Sequence, residues 1–201
     1  MQKEFFDRPW IRNGIGRTFR FLPPNVWTTL SLIIAFVALA FVVYDHLWWG
    51  IILFTISACC DFIDGKVARF TGKSSPVGAW WDGVVDRFVD ALVIACFFFF
   101  EFPCSSRQLD IMLFILLFMT LLPPFIVAYA NHRGAVPDPT EREVWRFAFR
   151  FEYIVLLGIS AILQPVSITV SYYFLWATLV LMTATVFQSM ILVFIKAKKY
   201  T

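Results

Sequence analysis

The chain has 201 residues, of which 60% are apolar and 15% are charged, and its formal net charge is +3. A soluble globular domain is roughly half apolar and about a quarter charged, so this composition excludes an ordinary soluble protein and predicts an integral membrane protein. The four cysteines have neither zinc-type spacing nor the pattern of a secreted disulfide framework, which leaves small apolar packing as their expected role.

The N-terminal segment, residues 1–22, mixes aromatic and basic residues and is too short and too polar to cross a bilayer. This pattern predicts an amphipathic juxtamembrane helix, with arginines toward anionic headgroups and residues such as Phe5 and Trp10 toward the acyl chains. A disordered basic leader is the alternative. Charges interrupt the segment throughout, so it lacks the pattern of a secretory signal peptide. The prolines of LPPN, residues 22–25, are expected to end this helix and begin the next one.

Six apolar stretches follow, each close to the 20 or so helical residues that cross the hydrocarbon of a bilayer. No strand-like alternation is visible, and the backbone of a spanning segment must satisfy its own hydrogen bonds, so we expect helices. Residues 23–201 are therefore predicted to form one all-α domain of six transmembrane helices. The predicted spans are 26–44, 47–70, 79–101, 109–131, 144–163 and 167–195.

Basic residues are concentrated on one side of these six predicted spans. They lie before the first span, in the turn after the second, between the fourth and fifth and after the sixth, whereas the opposite side has only Arg107. Lysine and arginine next to short loops mark the cytoplasmic side of a membrane protein. We therefore expect a multi-pass protein with both termini, and the link at residues 66–76, in the cytoplasm.

Two stripes of acidic and small residues interrupt the second and third spans. Residues three or four apart share one face of a helix, so each set forms a stripe. An ionised aspartate inside a membrane costs at least about 2.5 kcal/mol on insertion scales, so such residues usually face the interior of a bundle and mark a functional site. The stripes are Asp61, Asp64, Gly65 and Ala68 in the second span, and Gly78, Asp82, Asp86 and Asp90 in the third.

Aspartates gathered in one site repel each other unless cations neutralise them. A bound metal ion would resolve this conflict, and a ligand set made only of carboxylates suits magnesium or manganese rather than zinc or copper. The glycine and alanine residues beside the carboxylates leave room for the flat or anionic part of a ligand. The two stripes therefore predict a site for hard divalent cations.

The residues from Asp61 to Asp86 resemble the signature of the CDP-alcohol phosphatidyltransferase family. They read Asp-x-x-Asp-Gly-x-x-Ala-Arg, then eight residues, then Gly-x-x-x-Asp-x-x-x-Asp. The stretch PPNVWTT, residues 23–29, is similar to the segment that begins the family's first helix, although Pro23 stands where the family usually has threonine. The additional Arg87 and Asp90 look more like the inositol-phosphate and archaeal ether-lipid branch, whereas TGKSSPVG is similar to the choline and ethanolamine transferases.

This resemblance implies transfer of a phosphate-linked alcohol from a CDP-alcohol to the hydroxyl of an acceptor, with release of CMP. It implies Asp86 as the general base and a homodimer formed through membrane helices. No feature indicates a nucleic-acid partner. Two divalent ions, Mg²⁺ or Mn²⁺, would be held by Asp61, Asp64, Asp82 and Asp86. The nucleotide and its phosphates would be held by Asn25, Gly65, Ala68, Arg69, Ser75 and Gly78.

The acceptor and the donor are the least specified parts of this prediction. Arg133, Arg146 and Arg150 favour an acceptor that carries phosphate, such as inositol phosphate or glycerol phosphate, because guanidinium groups bind phosphate oxygens in pairs. The alternative is that these arginines only meet lipid headgroups. The donor is a CDP-linked lipid or, alternatively, a soluble CDP-polyol. An ion-coupled transporter is the rival class, but carboxylates near one end of two adjacent helices, with no internal repeat, favour the transferase.

Overall fold

The computed structural model describes residues 9–135 and 148–197, with side chains described for residues 14–135 and 148–196. All regular secondary structure in these ranges is helical, and a single 3₁₀ turn, Phe97–Phe99, accompanies the α-helices. The chain divides into two compact units, Met1–Cys96 and Phe97–Thr201. The α-helices are α1 (Pro9–Phe19), α2 (Pro24–Val43), α3 (Leu47–Thr71), α4 (Pro76–Cys96), α5 (Ser106–His132), α6 (Arg150–Leu163) and α7 (Ile168–Ala197).

The six long helices, α2 to α7, begin and end within a few residues of the predicted spans, with two larger differences. The third span was expected to end at residue 101, but α4 ends at Cys96 and the 3₁₀ turn follows. The fifth was expected to begin at residue 144, whereas the described part of this region begins at residue 148 and α6 at Arg150. Residue 144 lies outside the described ranges.

Three helices of the described chain are long and apolar enough to cross a membrane by length and composition alone. The other three long helices are α3 and α4, which contain the two carboxylate stripes, and α6, which has 14 residues. The described ranges thus contain six long helices. That all six cross the membrane stays a prediction. The three qualifying segments are Pro24–Val43, Ser106–His132 and Ile168–Lys196.

In the first unit, α2 packs against both α3 and α4. Ala35 of α2 forms a buried apolar cluster with Val85 and Val89 of α4. Nearer the start of α2, Trp27 packs with residues of α3. Because one helix contacts both of its neighbours, α2 sets the relative position of the two helices that carry the aspartates.

A serine pair joins α2 to α3 within the buried part of this unit. The hydroxyl of Ser57 donates to the carbonyl of Ser31 at 2.8 Å, and the two hydroxyl oxygens lie 3.0 Å apart. Both serines are buried, at 0% and 1% exposure. In an apolar environment a hydroxyl needs such a partner, so the pair stabilises the contact between the two helices.

The first helix, α1, lies directly against α3. A side chain added at Gly16 would overlap the Phe70 side chain and would come within 3.2 Å of the Lys66 carbonyl oxygen. The glycine therefore permits a close backbone approach between α1 and α3. A helix is thus present within residues 1–22, of which residues 1–8 lie outside the described ranges, and its amphipathic placement at the membrane surface stays a prediction.

The link between α3 and α4 is short. Gly72 ends α3 in the left-handed conformation, with a φ of 65°, which is the usual end of a helix at glycine. Pro76 begins α4, since proline fits the first turn of a helix. Only residues 72–75 separate the two helices, so consecutive elements of the chain carry both carboxylate stripes.

In the second unit, α7 packs against α5 and α6. One face of α7 is buried at spacings of three and four residues, which is the pattern of a helix that packs along its whole length. A second serine pair joins α6 to α7: the hydroxyl of Ser160 donates to the carbonyl of Ser171, and the hydroxyl of Ser171 donates to the carbonyl of Ser160, both at 2.8 Å. The buried face of α7 consists of Ser171, Leu175, Thr178, Leu179, Met182, Thr185, Val186 and Ser189.

Candidate active site

Three aspartates converge in the first unit. Asp61 and Asp64 lie on one face of α3, as their spacing predicts, and Asp82 lies on α4. One carboxylate oxygen from each comes within 4.8 Å of the others. Asp64 is buried at 5% exposure, while the other two are partly buried. The structure therefore brings together three of the four predicted metal ligands.

Asp86 lies one helical turn beyond Asp82 on α4, about 6 Å further along the helix axis. Its carboxylate is 3.7 Å from the Arg87 guanidinium and its side chain is 21% exposed. Among the described residues, the group of converging oxygens does not include Asp86. The carboxylate that the sequence nominates as general base thus stands beside the cluster, at the next turn of the same helix.

Arg87 also pairs with Asp90, at 3.2 Å. Asp90 is fully buried, at 0% exposure, and lies one further turn along α4. A buried carboxylate requires such a charged partner. The two residues that the sequence associates with the inositol-phosphate branch therefore form an ion pair next to Asp86.

Thr28, which the sequence reasoning missed, contacts the centre of the cluster. Its hydroxyl donates to Oδ2 of Asp64 at 2.5 Å, and the threonine is 3% exposed. The spacing of residues along one helix does not reveal which residue of another helix lies opposite. The available signal was a hydroxyl residue near the start of a hydrophobic span, three residues after the PPN motif.

The adjacent Thr29 reaches the other acidic helix. The indole nitrogen of Trp81, the residue before Asp82, donates to the Thr29 hydroxyl at 3.2 Å. Two consecutive threonines of α2 therefore contact both helices that contribute carboxylates.

Three of the predicted nucleotide-binding residues meet at the start of α4. The backbone N–H of Gly78 donates to the Ser75 hydroxyl at 3.0 Å. A Cβ atom at Gly78 would lie 3.1 Å from both the Asn25 side-chain oxygen and the Ser75 hydroxyl oxygen. Residue 78 thus has little room for a side chain, and polar groups from α2 and from the α3–α4 link surround it.

The other three predicted nucleotide-binding residues lie near the end of α3. The Arg69 side chain donates through Nε to the Gly65 carbonyl at 3.0 Å, which holds the guanidinium against the helix. Ala68 is partly buried, and its carbonyl accepts a hydrogen bond from Lys73 at the helix end. These residues continue the stripe of Asp61 and Asp64 toward the link.

The predicted acceptor residues belong to the second unit. Arg133 follows the last residue of α5 and lies over the ring of Tyr129, 5.7 Å from its centre. Arg150 is the first residue of α6. Arg146 lies outside the described residues. The role of these three arginines stays a prediction.

Long apolar helices and a cluster of three aspartates that could bind a hard divalent cation are the main features of the described chain. The sequence model of CDP-alcohol phosphatidyltransferases matches residues 21–192. The chain therefore belongs to this family, and it is an integral membrane transferase of phospholipid synthesis.

Two curated relatives are archaetidylinositol phosphate synthases. The one from Pyrococcus horikoshii is 29% identical over 78% of this chain and 79% of its own length. The one from Aeropyrum pernix is 39% identical, but this match spans only 34% of the chain and 36% of the relative.

The solved structures with a similar fold include phosphatidylinositol phosphate synthase of Mycobacterium tuberculosis. Its complex with CDP-DAG has a TM-score of 0.75 at 24% identity, over 91% of this chain and 93% of the other. The same enzyme in complex with manganese and citrate also has a TM-score of 0.75, at 23% identity. At this level of identity the likeness establishes the fold.

Proposed function

We propose that the enzyme transfers a phosphatidyl or archaetidyl group from a CDP-linked lipid to the hydroxyl of a small polar acceptor, releasing CMP. The observation that carries this proposal is the convergence of Asp61, Asp64 and Asp82, from the two halves of the family signature, within 4.8 Å. The relatives that make inositol-phosphate lipids support the lipid donor and the inositol phosphate acceptor. Glycerol phosphate is the second candidate acceptor.

The donor set of the cluster suits a hard divalent cation, and the family resemblance implies two such ions, Mg²⁺ or Mn²⁺. The cluster offers only carboxylate oxygens, and gathering three of them in a partly buried site is unfavourable without a cation. Asp61, Asp64, Asp82 and Asp86 would hold the ions. Divalent ions bound there would neutralise the negative charge of the diphosphate and of the leaving CMP.

The protein's own groups would orient the substrates and move one proton. Asn25, Ser75 and Arg69 would hold the cytidine nucleotide and its phosphates, with Gly78 leaving space for them. Asp86 would accept the proton of the attacking hydroxyl as the new oxygen–phosphorus bond forms and the bond to the CMP oxygen breaks. Its place beside the cluster, one turn from Asp82, is compatible with this role.

A direct test measures CMP release by the purified enzyme with Mg²⁺ and a panel of CDP-linked donors. CMP formation from CDP-diacylglycerol or CDP-archaeol, dependent on an added acceptor, is the expected result. Use of a soluble CDP-polyol alone would select the alternative donor. Absence of CMP with every lipid and polyol donor would contradict the proposed donor and reaction.

The acceptor is proposed to be phosphorylated and held by Arg133, Arg146 and Arg150. A charge-assisted hydrogen bond is worth about 1.5–3 kcal/mol, so Arg150→Ala is expected to raise the KM for inositol phosphate about ten- to a hundredfold, with little effect on the donor KM. Arg150→Lys keeps the charge but loses the planar fork and should give an intermediate KM. Equal losses with phosphorylated acceptors and with free inositol would contradict the phosphate site.

The proposed arrangement in the membrane has six spanning helices in residues 23–201, with residues 1–22 on the cytoplasmic leaflet. Both termini and the active site face the cytoplasm, and two copies form a homodimer. In a cysteine-free background, Ser74→Cys, in the α3–α4 link, should react with an impermeant maleimide only from the cytoplasmic side. Reaction only from outside would reverse the orientation. Cross-linking in native membranes tests the dimer.

A further inference from the structure

We infer that Thr28 is a positioning residue that orients Asp64 for metal binding, an inference that rests on the proposed metal site. Both groups are buried, at 3% and 5% exposure, and they come from different helices, α2 and α3. The hydroxyl contacts one of the three carboxylates that converge, not a residue at the edge of the site. It therefore acts on the cluster through Asp64.

The direction of the hydrogen bond follows from the two acceptors within reach of the hydroxyl. The Thr28 oxygen lies 3.3 Å from the Pro24 carbonyl and 2.5 Å from Oδ2 of Asp64. A hydroxyl has one proton to donate, and a carboxylate is the stronger acceptor. The proton therefore goes to Asp64, and the usual bond from a threonine to the carbonyl four residues earlier is the weaker one.

This bond limits what Asp64 can do. The hydroxyl occupies part of the coordination capacity of Oδ2 and holds the carboxylate plane in one orientation. Hydrogen bonds from outside the ligand shell commonly fix the geometry of metal-binding carboxylates in this way, and their loss costs about ten- to a hundredfold in metal affinity. Thr28 thus prepares Asp64 to bind in a fixed orientation before the cation arrives.

The neighbouring Thr29 extends the same arrangement to α4. It accepts a hydrogen bond from Trp81, which directly precedes Asp82. Because Thr28 and Thr29 are consecutive on α2, a shift of this helix would disturb Asp64 and the start of the Asp82 turn together. The threonine pair at the end of PPNVWTT therefore contacts both acidic helices.

The test measures Mn²⁺ affinity of the purified protein by the loss of the free Mn²⁺ signal in electron paramagnetic resonance. Thr28→Val removes the hydroxyl with little change of shape and is expected to weaken Mn²⁺ binding about ten- to a hundredfold. Thr28→Ser retains the hydroxyl and should restore most of the affinity. Thr28→Ala provides a second variant without the hydroxyl, should the valine protein not fold.

Ser31→Ala is the matched control, because it removes a buried hydrogen bond between the same two helices one turn further from the carboxylates. It should lower thermal stability and leave Mn²⁺ affinity unchanged. Wild-type affinity in both Thr28→Val and Thr28→Ala, or an equal loss in Ser31→Ala, would overturn the inference while leaving the proposed metal site in place. If the wild-type protein and Asp64→Asn bind Mn²⁺ equally, the metal site and the inference fall together.

Discussion

In both units of the chain, buried serine pairs join neighbouring helices, but only the first unit also has a buried hydroxyl that contacts a carboxylate. A buried serine pair connects α2 to α3 in the first unit, and another connects α6 to α7 in the second. In the first unit a further hydroxyl, that of Thr28, donates to the carboxylate of Asp64. The hydroxyls of Thr178, Thr185 and Ser189 on α7 instead donate to carbonyls of their own helix.

The difference separates what holds a membrane helix bundle together from what makes a reactive site. Apolar surface gains little from helix association in lipid, so hydrogen bonds and close packing determine how helices meet. Serine pairs provide this contact without charge. The carboxylates of α3 and α4 are costly in the same surroundings, and the proposed binding of a substrate or cation would be the reason to retain them.

The largest expected effect comes from removing one carboxylate of the cluster. Asp82→Asn is expected to lower CMP formation by more than about a hundredfold, because a ligand matters at least as much as the groups that support it. The thermal midpoint of the metal-free protein should be unchanged or higher, since repulsion between the aspartates falls. Radiometric transfer assays and thermal unfolding in detergent measure the two quantities.

Asp110→Asn, at an exposed aspartate of α5 in the second unit, is the control for this change. It removes the same charge from a helix without a carboxylate cluster and should keep full activity. Near-normal turnover in Asp82→Asn, or an equal loss of activity in both variants, would contradict the conclusion that the active site lies in the carboxylate cluster of the first unit.

The two serine pairs should respond alike. Ser57→Ala and Ser160→Ala each remove a buried hydroxyl that bonds to the opposite helix. Each is expected to lower the free energy of unfolding by about 0.6–2 kcal/mol, the range found for hydrogen bonds between membrane helices. Unfolding in mixed micelles tests this, and Mn²⁺ affinity of the folded fraction should stay constant in both. A selective loss of metal binding in Ser57→Ala would show that the first pair belongs to the site.

The smallest expected effect on stability comes from replacing one glycine in each unit. Gly158 of α6 has no atom within 4 Å of an added Cβ, so Gly158→Ala should stabilise the protein by about 0.5–1 kcal/mol through helix propensity. Gly78→Ala gains the same propensity but meets Asn25 and Ser75 at 3.1 Å, and it should raise the KM for the CDP-linked donor a few fold. The free energy of unfolding and the donor KM are measured for both variants. An unchanged donor KM in Gly78→Ala would show that the tight packing around Gly78 does not affect donor binding.

Much of the helical pattern was predictable because apolar length and proline positions depend on local sequence. Pro24 and Pro76 begin helices, and Gly72 ends one, as their backbone preferences require. The end of α4 at Cys96 was not predictable, because the phenylalanines that follow are apolar and fit a continuing helix as well as a 3₁₀ turn.

The site was predictable in part for the same reason. Spacing places Asp61 and Asp64 on one face of a helix, and the family signature adds Asp82 to them. Contacts between helices depend on rotation and register, which a single sequence does not encode locally. The contact of Thr28 with the carboxylate of Asp64 could therefore not be predicted from the sequence. The acceptor arginines stay a prediction for the same reason.

The close approach of α1 to α3 at Gly16 has a practical consequence for handling the protein. The N-terminal helix rests on the same helix that carries Asp61 and Asp64, with no side chain between the backbone of Gly16 and the region of Phe70. A bulky fusion partner joined immediately before Pro9 would pull on this contact and, through it, on the acidic helix. Preparations in which a tag replaces residues 1–8 should therefore be compared with the tag-free 201-residue chain before their kinetics are interpreted.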